Sequence, residues 1–380
     1  MKVKQTIFSV IFICIYICLN YYIGIRISSS IESITKLNPL AFWSIFWLLS
    51  FSYLIGRFLK NILSLKVVNI LSVIGYYWLG IMFFSLAVFP IVDIIILIVN
   101  RINYNNINYN PQILTAISSL FILIIFLLLF FVGSRNARQS SVYTIDINKS
   151  ETTLKERINI VMVSDIHLGT IVGNRRLEKM VNEINRLNPD IIVIAGDIVD
   201  TEIEPFMNSN MAKNFSNLKS TYGTFATLGN HDILLGKGHI ITEELRKNNV
   251  TVLRDEAILI NNDFYIIGRD DIVINKFGTK RKDLKEITRN LDEDKFKIII
   301  DHTPSSIGDS LNEKVNIHFS GHTHKGQIAP GNLITKRIFE IDHGYLVKEK
   351  LNVIVSSGYG TWGPPIRLGS KSEIVNVIVE

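Results

Sequence analysis

Ile158-Asn159-Ile160-Val161-Met162-Val163-Ser164-Asp165-Ile166-His167-Leu168-Gly169 reads as a buried strand that ends in a carboxylate and an imidazole two residues apart. The run 158–163 is short, apolar and rich in β-branched residues, as expected of a central strand in an α/β sheet. Side chains two apart on extended backbone point the same way, so Asp165 and His167 are expected to leave the strand together. The pattern recurs. Residues 191–195 run into Gly196-Asp197-Ile198-Val199-Asp200, and 224–228 into Gly229-Asn230-His231-Asp232. Residues 298–300 precede Asp301-His302, and 317–319 precede Ser320-Gly321-His322-Thr323-His324-Lys325-Gly326-Gln327. In open α/β sheets ligands gather beyond the carboxyl ends of the strands, so these five loops are expected to converge on one crevice.

Working outward, residues 264–267, 351–355 and 373–379 also read as strands, and 175–187 and 239–248 as helices. Alternating strands and helices followed by closely spaced strands argue an α/β domain over residues 143–380. The segment before it has another texture. Four apolar runs, at about 7–25, 40–59, 67–99 and 113–132, each approach or exceed the roughly 20 residues needed to cross a bilayer. The third holds Pro90 and Asp93 and is expected to be one long helix, since no turn residue interrupts it earlier. Asp93 is expected near the membrane interface, and residues 100–110 form a polar loop. Lys2 and Lys4 precede the first run, but no small-residue cleavage site follows it, so it reads as an uncleaved anchor.

Charge and thiol content narrow the function. The chain of 380 residues is 48% hydrophobic and only 19% charged, too apolar for a water-soluble domain throughout. Residues 1–142 carry ten Lys/Arg and two acids, whereas 143–380 carry thirty Lys/Arg and thirty-two acids. The basic excess thus belongs to the membrane segment, and no nucleic-acid partner is expected. Short-loop cations at Lys2, Lys4, Arg57, Lys60, Lys66, Arg135 and Arg138 outnumber Arg26, Lys36 and Arg101 on the other side, so both termini are expected in the cytoplasm. Cys14 and Cys18 both lie in the first apolar run, which excludes disulfide scaffolds and cysteine chemistry from the second half.

All eight histidines follow residue 142, and five sit in the strand-end motifs. Their company is Asp and Asn without thiolate. Such donors suit Mn, Fe or Zn, and seven of them exceed what one ion needs. A lone Asp-x-His is ordinarily a turn; five ordered motifs are a site. His318 alternates with Ile317 and Phe319 and is expected to be packed in a strand, while His239 and His343 are expected to be solvated.

At these residues the chain resembles the calcineurin-like metallophosphoesterase superfamily, whose series D-x-H, G-D-x-x-D, G-N-H-D, H and G-H-x-H it meets in order over about residues 157–380. The resemblance implies a two-sheet α/β/β/α sandwich, here preceded by an all-α transmembrane domain of four helices. It implies that Asp165, His167 and His324 hold one divalent metal ion, Asn230, His302 and His322 a second, and that Asp197 bridges them. His231 would face the leaving group and Asp232 would orient it, with Asp200 behind the ligands or in the turn. The ending from Ser357 to Arg367, with Gly326-Gln327, is similar to bacterial membrane-anchored phosphohydrolases related to the UDP-2,3-diacylglucosamine pyrophosphatases. Read from its own chemistry, Arg367 is a candidate phosphate clamp or the decoration of a rigid turn after Pro364-Pro365, and Trp362 is likewise open between site and surface.

The activity implied is hydrolysis of a phosphoester or pyrophosphate by metal-activated hydroxide, with two divalent ions, manganese first among them. The substrate is expected to be phosphorylated and lipid-linked, presented at the bilayer of a multi-pass cell-membrane protein with a cytoplasmic catalytic domain. A soluble nucleotide, or a metal-bearing interaction module without turnover, are the alternatives.

Overall fold

The computed structural model describes residues 2–103, 111–148, 154 and 156–380. The chain divides into two compact units, one up to Val132 together with Gly363–Pro365, the other Gly133–Trp362 with Ile366–Glu380.

The first unit holds α1 (Lys2–Glu32), α2 (Pro39–Phe58), α3 (Leu65–Asn103) and most of α4 (Pro111–Arg138). Among the described residues these four are long and apolar enough to cross a membrane. The third run is one helix, continuous through Pro90. At about 1.5 Å per residue its 39 residues exceed a bilayer core of about 30 Å. Of the polar stretch 100–110, residues 100–103 close α3 and 104–110 lie outside the described residues. Asp93 is paired: it accepts from the Tyr22 hydroxyl at 2.6 Å and meets Arg26 at 2.7 Å. The Arg26 cation offsets the carboxylate's charge and the Tyr22 hydroxyl hydrogen-bonds it, so two groups of α1 hold Asp93 of α3 in an apolar run. Asn20 is likewise buried, accepting from the Trp78 indole at 2.8 Å.

The first strand of the second unit, after the last residues of α4, is β1 (Ser140–Ile147), so the boundary expected between residues 142 and 143 falls inside a strand. β2 (Ile158–Val163), α5 (Asn174–Arg186), β3 (Ile191–Ala195), α6 (Glu204–Asn208) and β4 (Gly223–Thr227) follow. Next come α7 (Asn230–Leu234), α8 (Gly238–Lys247), β5 (Val250–Val252), β6 (Glu256–Ile260) and β7 (Phe264–Gly268). Then come α9 (Leu284–Thr288), β8 (Phe296–Ile300), α10 (Ile307–Asn312) and β9 (Ile317–Ser320). The chain closes with α11 (Gly331–Ile338), β10 (Gly344–Lys348), β11 (Leu351–Val355) and β12 (Ser372–Val379).

Two six-stranded sheets result, ordered β1-β12-β2-β3-β4-β5 and β10-β11-β9-β8-β7-β6. β2 to β5 run parallel in the first, as do β7, β8, β9 and β11 in the second. Parallel strands are buried on both faces, which explains why β3 and β8 are apolar at nearly every position. Alternate residues of the two sheets, among them Ile160, Met162, Val193, Ile298, Ile300 and Phe319, form a core between them. The opposite face of the first sheet packs on Leu177, Met180, Val181 and Ile184, one stripe of α5. The opposite face of the second packs on residues of α9 and α10 such as Leu284 and Ile307. The architecture is the expected two-sheet α/β/β/α sandwich with four apolar helices before it.

Candidate metal centre

Each motif sits where a strand stops. Asp165 and His167 follow β2, Asp197 follows β3 and Asn230 opens the helix after β4, all from the first sheet. His302 follows β8, and His322 and His324 follow β9, from the second. The backbone there is unusual. Asp165, His167, Asp197, His322 and His324 all have positive φ, between 49° and 70°. Asp and His tolerate this left-handed region better than most residues, but it still carries strain, and such strain gathers at functional sites. Two glycines let the loops close up: a Cβ on Gly229 would lie 2.1 Å from Asp197 Oδ1, and one on Gly321 2.3 Å from Asp165 Oδ2.

Two groups of donor atoms within 4.8 Å combine residues of both sheets, Asp165, His167 and His324 in one and Asp197, His302 and His322 in another, while a third, His167, Asp200 and His231, lies on the first sheet alone. His167 and His324 turn their Nε2 atoms toward each other at 3.1 Å, with Asp165 Oδ1 3.5 Å from that of His324. In the second group Asp197 Oδ2 is 3.2 Å from His302 Nε2. Asn230 Oδ1 stands between the rings, 3.1 Å from His302 Nε2 and 2.8 Å from His322 Nδ1. The carbonyl of Ala195, which can only accept, lies 2.8 Å from His302 Nδ1, so this nitrogen carries hydrogen and Nε2 is the atom turned to the site.

Burial sets the electrostatics. It pushes His167 down to about 3 and His322 to about 4, and holds His324 well below the usual histidine range. Those rings are neutral near pH 7 and their lone pairs are available. Burial also raises Asp165 to about 6. Asp197 goes the other way: burial opposes its charge, but His302, His167 and His231 outweigh that and hold it well below the carboxylate range. His302 is the counterpart, opposed by burial yet raised by Asp197 and Asp165. His167 Nδ1 and Asp200 Oδ1 are buried without a hydrogen-bond partner, 3.7 Å apart. Facing lone pairs, an orphaned donor-acceptor pair and an all-oxygen-and-nitrogen ligand set fit divalent transition ions.

His231 is half-buried, its ring edge-on to that of His167 at 5.1 Å and 6.0 Å from that of Trp362. Its backbone N–H donates to Asp197 Oδ1 at 2.8 Å. Asp232 does something other than orient this ring. Its buried carboxylate accepts from the backbone N–H groups of Ile198, Val199 and Gly229 at 2.8 to 3.1 Å, which ties the Asp197 loop to the Asn230 loop. Burial, with the Asp197 charge, raises it to about 7. Asp200 lies behind His167, not in a bare turn, and burial raises it to about 6.

Arg367 is not offered to a substrate. It is 0% exposed, and its guanidinium donates to the carbonyls of Ser357, Gly358, Gly360 and Lys371, with one nitrogen 3.3 Å from His324 Nδ1. A rigid five-donor fork suits a ring of carbonyls as well as it suits phosphate. His318 is packed in β9 between Ser310 and Ser320, and His239 is exposed. His343 is half-buried against Glu373 at 3.0 Å, not solvated, because Glu373 is held under it by the Ser357 N–H.

Three features escape sequence reasoning. Gln327 exchanges two 2.9 Å hydrogen bonds with the backbone of Trp362, fixing that ring near His231. Asp301, just ahead of His302, is fully buried between Arg269 and Arg281. Asp271 accepts from the Thr303 hydroxyl beside His302. Only the Gly-Gln pair after the last histidines carried a signal.

Residues 158–326 match the family model for calcineurin-like phosphoesterases. The chain is 32% identical over 285 residues to an uncharacterized metallophosphoesterase of Campylobacter jejuni, covering 74% of this chain and 75% of that one. It is 35% identical over 243 residues to one from Aquifex aeolicus, covering 63% and 90%. A Bos taurus protein named transmembrane protein with metallophosphoesterase domain is 31% identical over 66% of this chain and 59% of its own. Fold, ordered motifs and relatives agree, and the chain belongs to the calcineurin-like metallophosphoesterase family.

Proposed function

We propose that this protein is a membrane-anchored, dinuclear phosphohydrolase acting on a lipid-borne phosphoester or pyrophosphate from the cytoplasmic side. The observation that carries the reading is the gathering of six donors into two groups of three, each spanning both sheets, with Asn230 between the rings of the second. Asp165, His167 and His324 would hold one ion, Asn230, His302 and His322 the other, with Asp197 shared. Manganese suits this imidazole, carboxylate and amide set. Divalent ions there supply Lewis acidity toward a phosphoryl group and lower the pKa of water.

The chain's own residues do the rest. His231, half-buried with its ring 5.1 Å from that of His167, would hand a proton to a departing oxygen. Asp232 keeps the Asp197 and Asn230 loops at fixed separation through its three backbone bonds. Asp200, with Oδ1 3.7 Å from His167 Nδ1, would orient that ring from behind by accepting its N–H once the two close to hydrogen-bond distance. Four apolar helices and relatives named for a transmembrane segment support a bilayer-resident substrate. A domain held at that surface meets lipid phosphates at high effective concentration. The short-loop cations support the cytoplasmic side.

The test uses the full-length protein in detergent, stripped with chelator and resupplied with Mn²⁺. Phosphate release is followed on membrane lipid extract and on a nucleotide panel. Metal-dependent release from the lipid extract is expected. Release confined to nucleotides would move the substrate class, and full activity in a rigorously metal-free preparation would overturn the dinuclear reading.

A further inference from the structure

α11 faces the wrong way for a helix of a folded domain. None of its residues is buried, and Leu333, Ile334 and Ile338 are 63%, 62% and 66% exposed. Its inward side is the polar one. Thr335 donates to Asp342 at 2.6 Å, and Gly331 lies against the backbone of Gly326, just past His324. Between the outward aliphatic residues stand the exposed cations Lys336 and Arg337, and the helix has no acid. Aliphatic residues interspersed with Lys and Arg are the composition of an interfacial helix, whose apolar side chains sink about 5–10 Å into the boundary of headgroups and acyl chains while cations meet phosphates.

We propose that α11, together with the half-exposed Trp362 that Gln327 holds at the rim, is a surface by which the domain docks into a phospholipid leaflet. The chain itself keeps a bilayer at hand, since only Gln139 separates α4 from β1. The surface is continuous with the metal centre: α11 begins seven residues after His324, and the Phe339 ring that follows it is 6.0 Å from that of His322. Tryptophan at such a rim is an amphipathic anchor, with an apolar ring and an N–H for the wet side. Docking there holds the ligands at headgroup depth, where the phosphate of a membrane lipid lies. The inference extends the lipid-borne reading, and its test records insertion without turnover, so each fails separately.

Cys14 and Cys18 are replaced by alanine, and single cysteines are placed at Leu333→Cys, Ile338→Cys and, as a control, Lys285→Cys on α9. The full-length protein is labelled with a polarity-sensitive fluorophore and reconstituted in phospholipid vesicles. Quenching by a lipid-borne nitroxide and by aqueous iodide is then compared. Labels at 333 and 338 are expected to respond about threefold more strongly to the lipid nitroxide than the control, and about threefold less to iodide, as insertion among headgroups requires. Free access of iodide at both positions would overturn the proposal. Shielding from both quenchers would also overturn it, and would assign α11 to a protein partner or a second copy.

Discussion

Replacing Arg367 should damage the fold before it damages substrate binding. Four carbonyls accept from its guanidinium, but two keep another donor: Gly358 O receives the Glu373 N–H, and Lys371 O the Ser357 hydroxyl. The cost of Arg367→Met therefore falls mainly on the carbonyls of Ser357 and Gly360, 2.7 Å each from the lost nitrogen. At about 1–3 kcal/mol per buried group left unpaired, the loss is roughly 2–6 kcal/mol. A loss near 4 kcal/mol should lower Tm by roughly 8–16 °C in a domain of this size. Arg367→Lys retains a charge and up to three donors and should recover about half of that. The assay is thermal unfolding of the full-length protein in detergent, followed by near-ultraviolet circular dichroism, beside KM for a soluble aryl phosphoester. A phosphate clamp predicts the opposite split, with KM raised about tenfold or more and Tm unmoved in the Lys variant. That outcome would refute the positioning role.

Three further outcomes are expected. His231→Ala should keep two metal ions per chain and much of its aryl ester hydrolysis while losing on the order of 10²-fold in kcat/KM on alkyl esters, whose leaving oxygen needs a proton; equal losses on both would end the acid role. A reporter fused after Glu380 should behave as cytoplasmic, and removal of the domain by protease added to intact spheroplasts would invert the topology. His318, pushed down to about 3 by burial among Ser310 and Ser320, stays neutral in the fold but takes up a proton in the unfolded chain below about pH 6.5. Stability should consequently fall by up to about 1.4 kcal/mol per pH unit as pH drops from that point toward 3, and His318→Asn should remove this share of the slope. An unchanged slope would show that the other buried histidines account for all of it.

The readable part of this sequence is the part where two periodicities meet chemistry. Ile158–Val163 and Ile191–Ala195 announce themselves because a strand buried on both faces leaves no polar position to confuse the pattern. The residues just past them are legible because Asp, His and Asn beside glycine have few reasons to recur five times. β1 and β6 were not legible. β1 is mostly exposed and earns its place by pairing with β12, some 230 residues away. β6 is an edge strand without a buried position. α11 has no inward apolar stripe, so periodicity says nothing about it. For Asp232 and Arg367 the sequence suggests side-chain and substrate roles, because sequence displays side chains. Their actual partners are backbone N–H and C=O groups, which no residue type reveals.

Because the Asp165–His167–His324 and Asp197–His302–His322 groups take members from both sheets, an ion bound in either would also be a crosslink. The catalytic unit contains no cysteine, Cys14 and Cys18 both lying in α1, so no disulfide can staple the two sheets together. Two coordinated ions would do that work, and they bind only the folded arrangement, so loading adds RT ln(1 + [M]/Kd) to stability at each site. A hundredfold excess over Kd is worth about 2.7 kcal/mol, a sizeable fraction of an ordinary domain's total. The cell's supply of the metal would then govern how long each copy survives proteolysis as well as how fast it turns over substrate. Scarcity would thin the population of the enzyme instead of leaving a reservoir of intact, idle molecules.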